Sequence, residues 1–373
     1  MQKRRFITVF FLIGTSVAAQ APTTLKDAYR NLFHVGVAIN EAQITGSDAR
    51  GAAIAASQFD SISPENCLKW ERVHPKPNTY SFELADKYVE FGEKNHMFIV
   101  GHNLVWHSQV PDWVFEDEKG KPLTRDALLK RMHDHIFTVV GRYKGRIQSW
   151  DVVNEALNED GTLRKSKWQQ IIGDDFIEKA FEYAHQADPQ AELTYNDYSL
   201  ENEAKLKGAL ALVARLKAHG VAITTVGIQG HDSLAHPTVE EEDAAITAFA
   251  KLGVKVAISE LDIDVLPRDP KLFSADVSLK VKQDPKLNPY ANGLPDDVQQ
   301  ELARRYADLF AVFLKHRAEM SRVTFWGVTD RDSWLNNWPV PGRTSYPLLF
   351  DRNGKPKPAF EAVIEQEKLA AKQ

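Results

Sequence analysis

The chain of 373 residues has one cysteine, Cys67, so no intramolecular disulfide can form. A lone cysteine reads as a small buried apolar residue rather than a nucleophile. Beyond residue 21 no apolar run is long enough to hold the chain in a bilayer. There is no basic stripe either: 46 Lys and Arg face 51 Asp and Glu, a formal charge of −5, which makes nucleic acid a poor partner. Linkers rich in Ser, Gly and Pro, low-complexity tracts and motif-level repeats are all missing. His102, His107, His231 and His236 invite a metal reading, but no HExxH or Cys/His spacing accompanies them and no interleaved carboxylate completes a ligand set. Neither a metal nor a cofactor is expected. His133 and His135 read as surface or helix-packing residues.

What is present begins with Lys3, Arg4 and Arg5, followed by the apolar stretch Phe6 to Ala19 and the small residues Ala18, Ala19 and Ala21. A basic segment, a short apolar segment and an A-x-A-like site predict a signal peptide over 1–21 and an exported protein, periplasmic or secreted. Its removal takes three positive charges and no negative ones, so the formal charge goes from −5 to −8 for residues 22–373. With 43% hydrophobic and 10% aromatic residues the remainder can fill a globular core.

Eight short β-like runs alternate with helical patterns: FHVGVAIN (33–40), SQFDSIS (57–63), MFIVGHNLVW (97–106), IQSWDVVNEA (147–156), AELTYNDYS (191–199), TTVGIQGH (224–231), VKVAISELDI (254–263) and RVTFWGVTD (322–330). Between them, segments such as LADKYVEFGEKN and DDVQQELARRYADLFAVFLKHRAEM repeat apolar residues at three and four. Eight such units predict an α/β fold, a single (β/α)8 TIM barrel, as the domain 22–373. A doubly wound open sheet would usually carry a glycine-rich loop after its first strand, and EAQITGSDARG lacks the G-x-G-x-x-G spacing.

Barrel active sites lie at the C-terminal ends of strands, and the polar residues gather there. Asn40 and Glu41 follow the first run, Glu65 and Asn66 the second, and His102, Trp106 and His107 lie along the third. Asn154 and Glu155 end the fourth, Asn196, Asp197 and Tyr198 the fifth, Gln229 and His231 the sixth, Glu260 and Asp262 the seventh, Trp326 and Asp330 the eighth. Local readings compete: Asn154 and Glu155 could cap the next helix, and Glu260, Asp262 and Asp264 could form the polar face of a half-exposed strand. Two glutamates at one barrel mouth match the needs of glycosidic bond cleavage, one acid for the leaving oxygen and one carboxylate across the sugar. Trp106, Trp326, Trp334, Trp338, Tyr195 and Tyr198 could offer flat faces to sugar rings.

The sequence resembles glycoside hydrolase family ten endo-1,4-β-xylanases through PENCLKWERVHP, GHNLVWHSQVPDW, SWDVVNEAL, YNDY, GIQGH, ISELDI, TFWGVTDRDSWL and PLLFDRNGKPKPAF, in order along the chain. The resemblance implies a retaining xylanase with Glu155 as acid/base and Glu260 as nucleophile. It places Asn154 on the sugar 2-hydroxyl, His231 and Gln229 beside Glu260, and His102 and Trp106 in the same subsite. Glu65, Asn66, Lys69 and Gln109 would bind the next xylose, Trp326 and Trp334 would cover both sugars, and Tyr198 would lie toward the leaving group. The implied partners are xylan and xylo-oligosaccharides, and a monomer is expected. Asn78 stands where the family often has Gly, and the stretch Leu266 to Asp297 is long and rich in Asp, Lys and Pro. A retaining glucanase of the same barrel class and a sugar-binding protein on a retired scaffold are the competing readings.

Overall fold

Strand residues here are buried on both faces, as a parallel sheet covered by helices requires. The computed structural model describes residues 24–267 and 279–370, so the expected signal peptide and part of the long loop after Leu266 lie outside the described residues. The strands are β1 (His34–Ile39), β2 (Ser61–Pro64), β3 (Phe98–Trp106), β4 (Ser149–Asn154), β5 (Glu192–Asp197), β6 (Thr225–Ile228), β7 (His231–Ser233), β8 (Lys255–Asp264) and β9 (Met320–Phe325). Parallel pairing runs β1 to β6 in order, then β6 with β8, β8 with β9 and β9 back to β1, which closes the predicted barrel. Short β7 stands outside that ring and pairs with the far end of β8, His231 opposite Asp262.

Three runs differ from the sequence expectation; in one, RVTFWGVTD, the strand starts at Met320 and stops at Phe325, before Gly327 at φ 134°. SQFDSIS does not begin a strand at Ser57, because the alanine-rich helix Ala49–Gln58 continues through its first residues and β2 starts at Ser61. Alanine favours the helix, and the chain becomes extended only at Phe59. The run TTVGIQGH is split: β6 ends at Ile228 and β7 starts at His231, with Gly230 between them at φ 77°. That left-handed turn is open to glycine and re-aims the chain toward β8.

The helices pack as their periodicity predicts. In Glu83–Lys94 the buried residues are Ala85, Tyr88, Val89 and Gly92, one face of a helix. On helix Arg125–Arg142, His135 is fully buried and stacks on Trp70 at 3.6 Å between ring centroids. Its Nδ1 lies 3.1 Å from Nδ1 of His74, one nitrogen donating to the other. Burial, aided by Arg131, pushes His74 down to about 4, and burial with His74 nearby holds His135 well below the ordinary range. This pair is neutral core packing, not a metal site.

A polar column runs through the barrel interior. Arg322, buried on β9, reaches Asp151 of β4 at 3.4 Å, and Asp151 holds Nδ1 of His102 at 2.9 Å. The column delivers an oriented His102 to the C-terminal rim.

Candidate active site

A cleft of about 1270 Å³ opens at the C-terminal ends of the strands. Glu65, Asn66, Lys69, His102, Trp106, Gln109, Asn154, Glu155, Tyr198, Gln229, His231, Glu260, Trp326 and Trp334 all line it. The residues that the family resemblance implies are thus brought together, whereas Asn40, Glu41, Tyr195 and Asp330, also offered by the strand-end pattern, do not line the cleft. Among the described residues no group of three or more His, Cys, Asp or Glu is arranged to hold a metal ion.

Glu260 sits within β8, and its surroundings on that strand contradict the half-exposed alternative: Glu260, Asp262 and Asp264 are all buried. Its Oε1 accepts from Asn196 Nδ2 at 2.8 Å and its Oε2 accepts from His231 Nε2 at 3.2 Å. His231 also donates from Nδ1 to Asp262 at 3.1 Å. Burial opposes charge on the ring, but Asp262 and then Glu260 outweigh it and raise His231 to about 10. An imidazolium therefore faces Glu260. Burial alone would raise the Glu260 carboxyl, yet the His231 hydrogen bond and the charges of His102, His231 and Lys69 hold it below the usual carboxylate range.

Glu155 leaves β4 in a left-handed conformation, φ 55°, and its backbone N–H donates to Asn196 O at 2.8 Å. A non-glycine residue there is strained and persists only where its surroundings fix it. Gln109 at φ 48° and Ser199 at φ 51° share this conformation, and both also line the cleft. The Glu155 carboxyl accepts from Trp106 Nε1 at 2.9 Å and from Gln229 Nε2 at 3.1 Å. These donors are neutral. Burial, the carboxylate of Asp197 and, more weakly, that of Glu260 raise its pKa against those hydrogen bonds. Asn154 does not cap a helix; its Oδ1 accepts from Asn196 at 2.9 Å.

The asparagine that caps is Asn40, whose side chain accepts from Ala42 N while Gln43 accepts from Asn40 N. Asn40 and Glu41 stand beside a smaller adjoining hollow rather than in the main cleft. Tyr195 is also withdrawn: it is fully buried and donates to Asp197 at 2.6 Å. Asp330 is buried against Lys357 at 2.9 Å and serves the structure beneath the rim.

At one end of the cleft Lys69 donates to Asn66 at 3.0 Å, and Asn66 donates to Glu65 at 3.3 Å. The Lys69 ammonium lies 5.1 Å from the Trp106 ring centroid. Trp334 is fixed by donation to Asp262 at 2.7 Å and by stacking on Trp338 at 4.7 Å. Sequence reasoning assigned no role to Asn196, although this one amide bridges Asn154 and Glu260. Its place at the end of β5, two positions before Tyr198, was the available signal.

The profile of glycosyl hydrolase family 10 matches residues 24–366. An endo-1,4-beta-xylanase A of Xylanibacter ruminicola is 44% identical over 361 residues, 97% of this chain and 98% of that protein. A solved GH10 endoxylanase retrieved from a sugarcane soil metagenome superposes with a TM-score of 0.87 at 48% identity, covering 92% of this chain and 99% of that one. A mutant structure in complex with xylotriose superposes at 0.83 with 36% identity, over 92% of this chain and 99% of that one.

Proposed function

The chain belongs to glycosyl hydrolase family 10 and is a glycoside hydrolase of the endo-1,4-β-xylanase class; from that premise we propose that it cuts xylan by a retaining double displacement in which Glu260 attacks and Glu155 handles the proton. The observation that carries the assignment is the difference in partners. Glu260 faces a cationic His231, whereas Glu155 faces neutral donors and the buried Asp197. The first is held as the anion, and the second keeps its proton to higher pH.

In the first step a Glu260 oxygen attacks the anomeric carbon while Glu155 gives its proton to the glycosidic oxygen. The carbon–oxygen bond breaks, the reducing-end fragment departs and a glycosyl ester remains on Glu260. In the second step the Glu155 carboxylate takes a proton from water, the water oxygen attacks the same carbon, and Glu260 leaves with its electron pair. Two inversions restore the configuration. The two carboxyl groups are expected about 5 to 5.5 Å apart, as retaining chemistry requires. Asn154 is placed to hold the 2-hydroxyl, Glu65, Asn66 and Lys69 to bind the next xylose, and Trp326 and Trp334 to cover both rings. The same reading includes export, supported by the Lys3 to Ala21 pattern.

Two variants separate the roles. Glu155→Ala should still form the glycosyl-enzyme from an aryl xyloside with an acidic phenol, then stall for lack of a base. Azide should restore its turnover and give a β-glycosyl azide, whereas any azide reaction of Glu260→Ala should give the α-product. Reversed anomers would overturn the assignment. On polysaccharides the wild type should release short oligosaccharides from arabinoxylan and glucuronoxylan; better activity on carboxymethylcellulose would mean a glucanase.

A further inference from the structure

Directly after Glu155 the chain folds back as a hairpin, with Leu157 bridging Leu163 and Arg164 N donating to Ala156 O at 2.8 Å. The Arg164 side chain turns back along it. Its Nε donates to Glu155 O at 3.0 Å and its Nη2 to Leu157 O at 2.9 Å, so one edge of the guanidinium spans two carbonyls of the segment that carries Glu155. The same Nη2 donates to the hydroxyl of Tyr198 at 3.1 Å. Tyr198 lines the cleft, and the buried Lys205 ammonium lies 3.2 Å from the centroid of its ring. Asp197 accepts from Tyr198 N at 2.9 Å and from Leu157 N at 3.3 Å, holding both segments from beneath.

We propose that Arg164 is a positioning residue whose guanidinium ties the backbone of Glu155 to the hydroxyl of Tyr198, so that the leaving-group sugar and the acid that protonates its oxygen are held by one group. This rests on the assignment of Glu155 as acid and of Tyr198 to the leaving-group side. Glu155 needs such a brace because its left-handed backbone is not self-sustaining. A guanidinium suits the task because its planar fork meets two acceptors at fixed spacing, whereas a lysine offers a single point charge.

A brace on the acid matters only where the leaving group needs a proton. In Arg164→Ala, kcat/KM on xylotetraose should fall about tenfold or more, a share of what a general acid contributes. On 2,4-dinitrophenyl β-xylobioside, whose phenolate leaves unaided, it should change by less than about threefold. Added guanidinium should recover part of the xylotetraose loss in Arg164→Ala and none in Glu155→Ala. If Arg164→Ala does not fold, Arg164→Lys should show the same contrast, because it keeps the charge and loses the fork. Equal losses on both substrates, or no loss on xylotetraose, would overturn the inference. Equal losses in Glu155→Ala would instead overturn the assignment of the acid, which keeps the two failures apart.

Discussion

At the scale of single residues, Glu155 follows β4 and Glu260 lies within β8, both buried, yet their neighbours drive them in opposite directions. The difference comes from a chain of contacts: Asp262 raises His231 to about 10, and the resulting imidazolium donates to Glu260. The catalytic form needs Glu260 ionised and Glu155 protonated, so activity should fall at low pH as Glu260 gains a proton and at high pH as Glu155 loses one. His231→Asn removes the cation that lowers Glu260. The acid limb of kcat/KM should then move to higher pH, with the alkaline limb nearly in place. A pH profile of the variant on xylotetraose, whose leaving group needs the Glu155 proton, checks both limbs. An acid limb that stays put, or moves to lower pH, would refute the role given to His231.

At the scale of elements, the hairpin after β4 rests on helix Glu203–Ala218 at an unusually close approach. A Cβ on Gly208 would lie 2.2 Å from the backbone oxygen of Gly161. Ordinarily Gly to Ala inside a helix gains about 1 kcal/mol. Here both partners are backbone, so relief requires the hairpin and helix to separate, and overpacking of this kind costs about 1–3 kcal/mol. The cost outweighs the propensity gain. Gly208→Ala should therefore lower the denaturation midpoint in urea and reduce xylan turnover, because the displaced hairpin carries Arg164 and follows Glu155. A variant with a raised midpoint would show that the approach is slack. In sequence Gly208 is only a weak point in a helical pattern, and the reason for it lies on another element.

At the scale of the whole molecule, closure of β9 onto β1 turns eight strand ends into one rim, so residues from Glu65 to Trp334 share a single cleft. No described helix is long and apolar enough to cross a membrane. The apolar stretch Phe6 to Ala19 belongs to the export reading. Mature protein from a native host should begin near Gln20 or Pro22, as N-terminal sequencing can show. Intact chains starting at Met1 in the cytoplasm would refute export.

Sequence alone determined the elements and the list of candidates. The 3.6-residue and continuous apolar patterns located the barrel strands and the main helices, because burial acts on each segment independently of the rest. The strand-end pattern named Glu155, Glu260 and most of their neighbours in the cleft, while Lys69 and Gln109 came only from the family resemblance. Asn78 was noted as a departure, and its φ of 56° is a left-handed position that asparagine tolerates. Only the tertiary structure decided what those residues are. Asn40 follows β1 and Asn154 ends β4, yet the first caps a helix and the second meets Asn196 on the adjacent β5. Tyr195 and Tyr198 are three positions apart, and one is core while the other faces substrate space. Arg164 gave no sign of its role, because its acceptors are backbone carbonyls and a distant hydroxyl that no residue pattern records. Protonation states and braces arise between segments far apart in the chain, and they exist only once closure has set the distances.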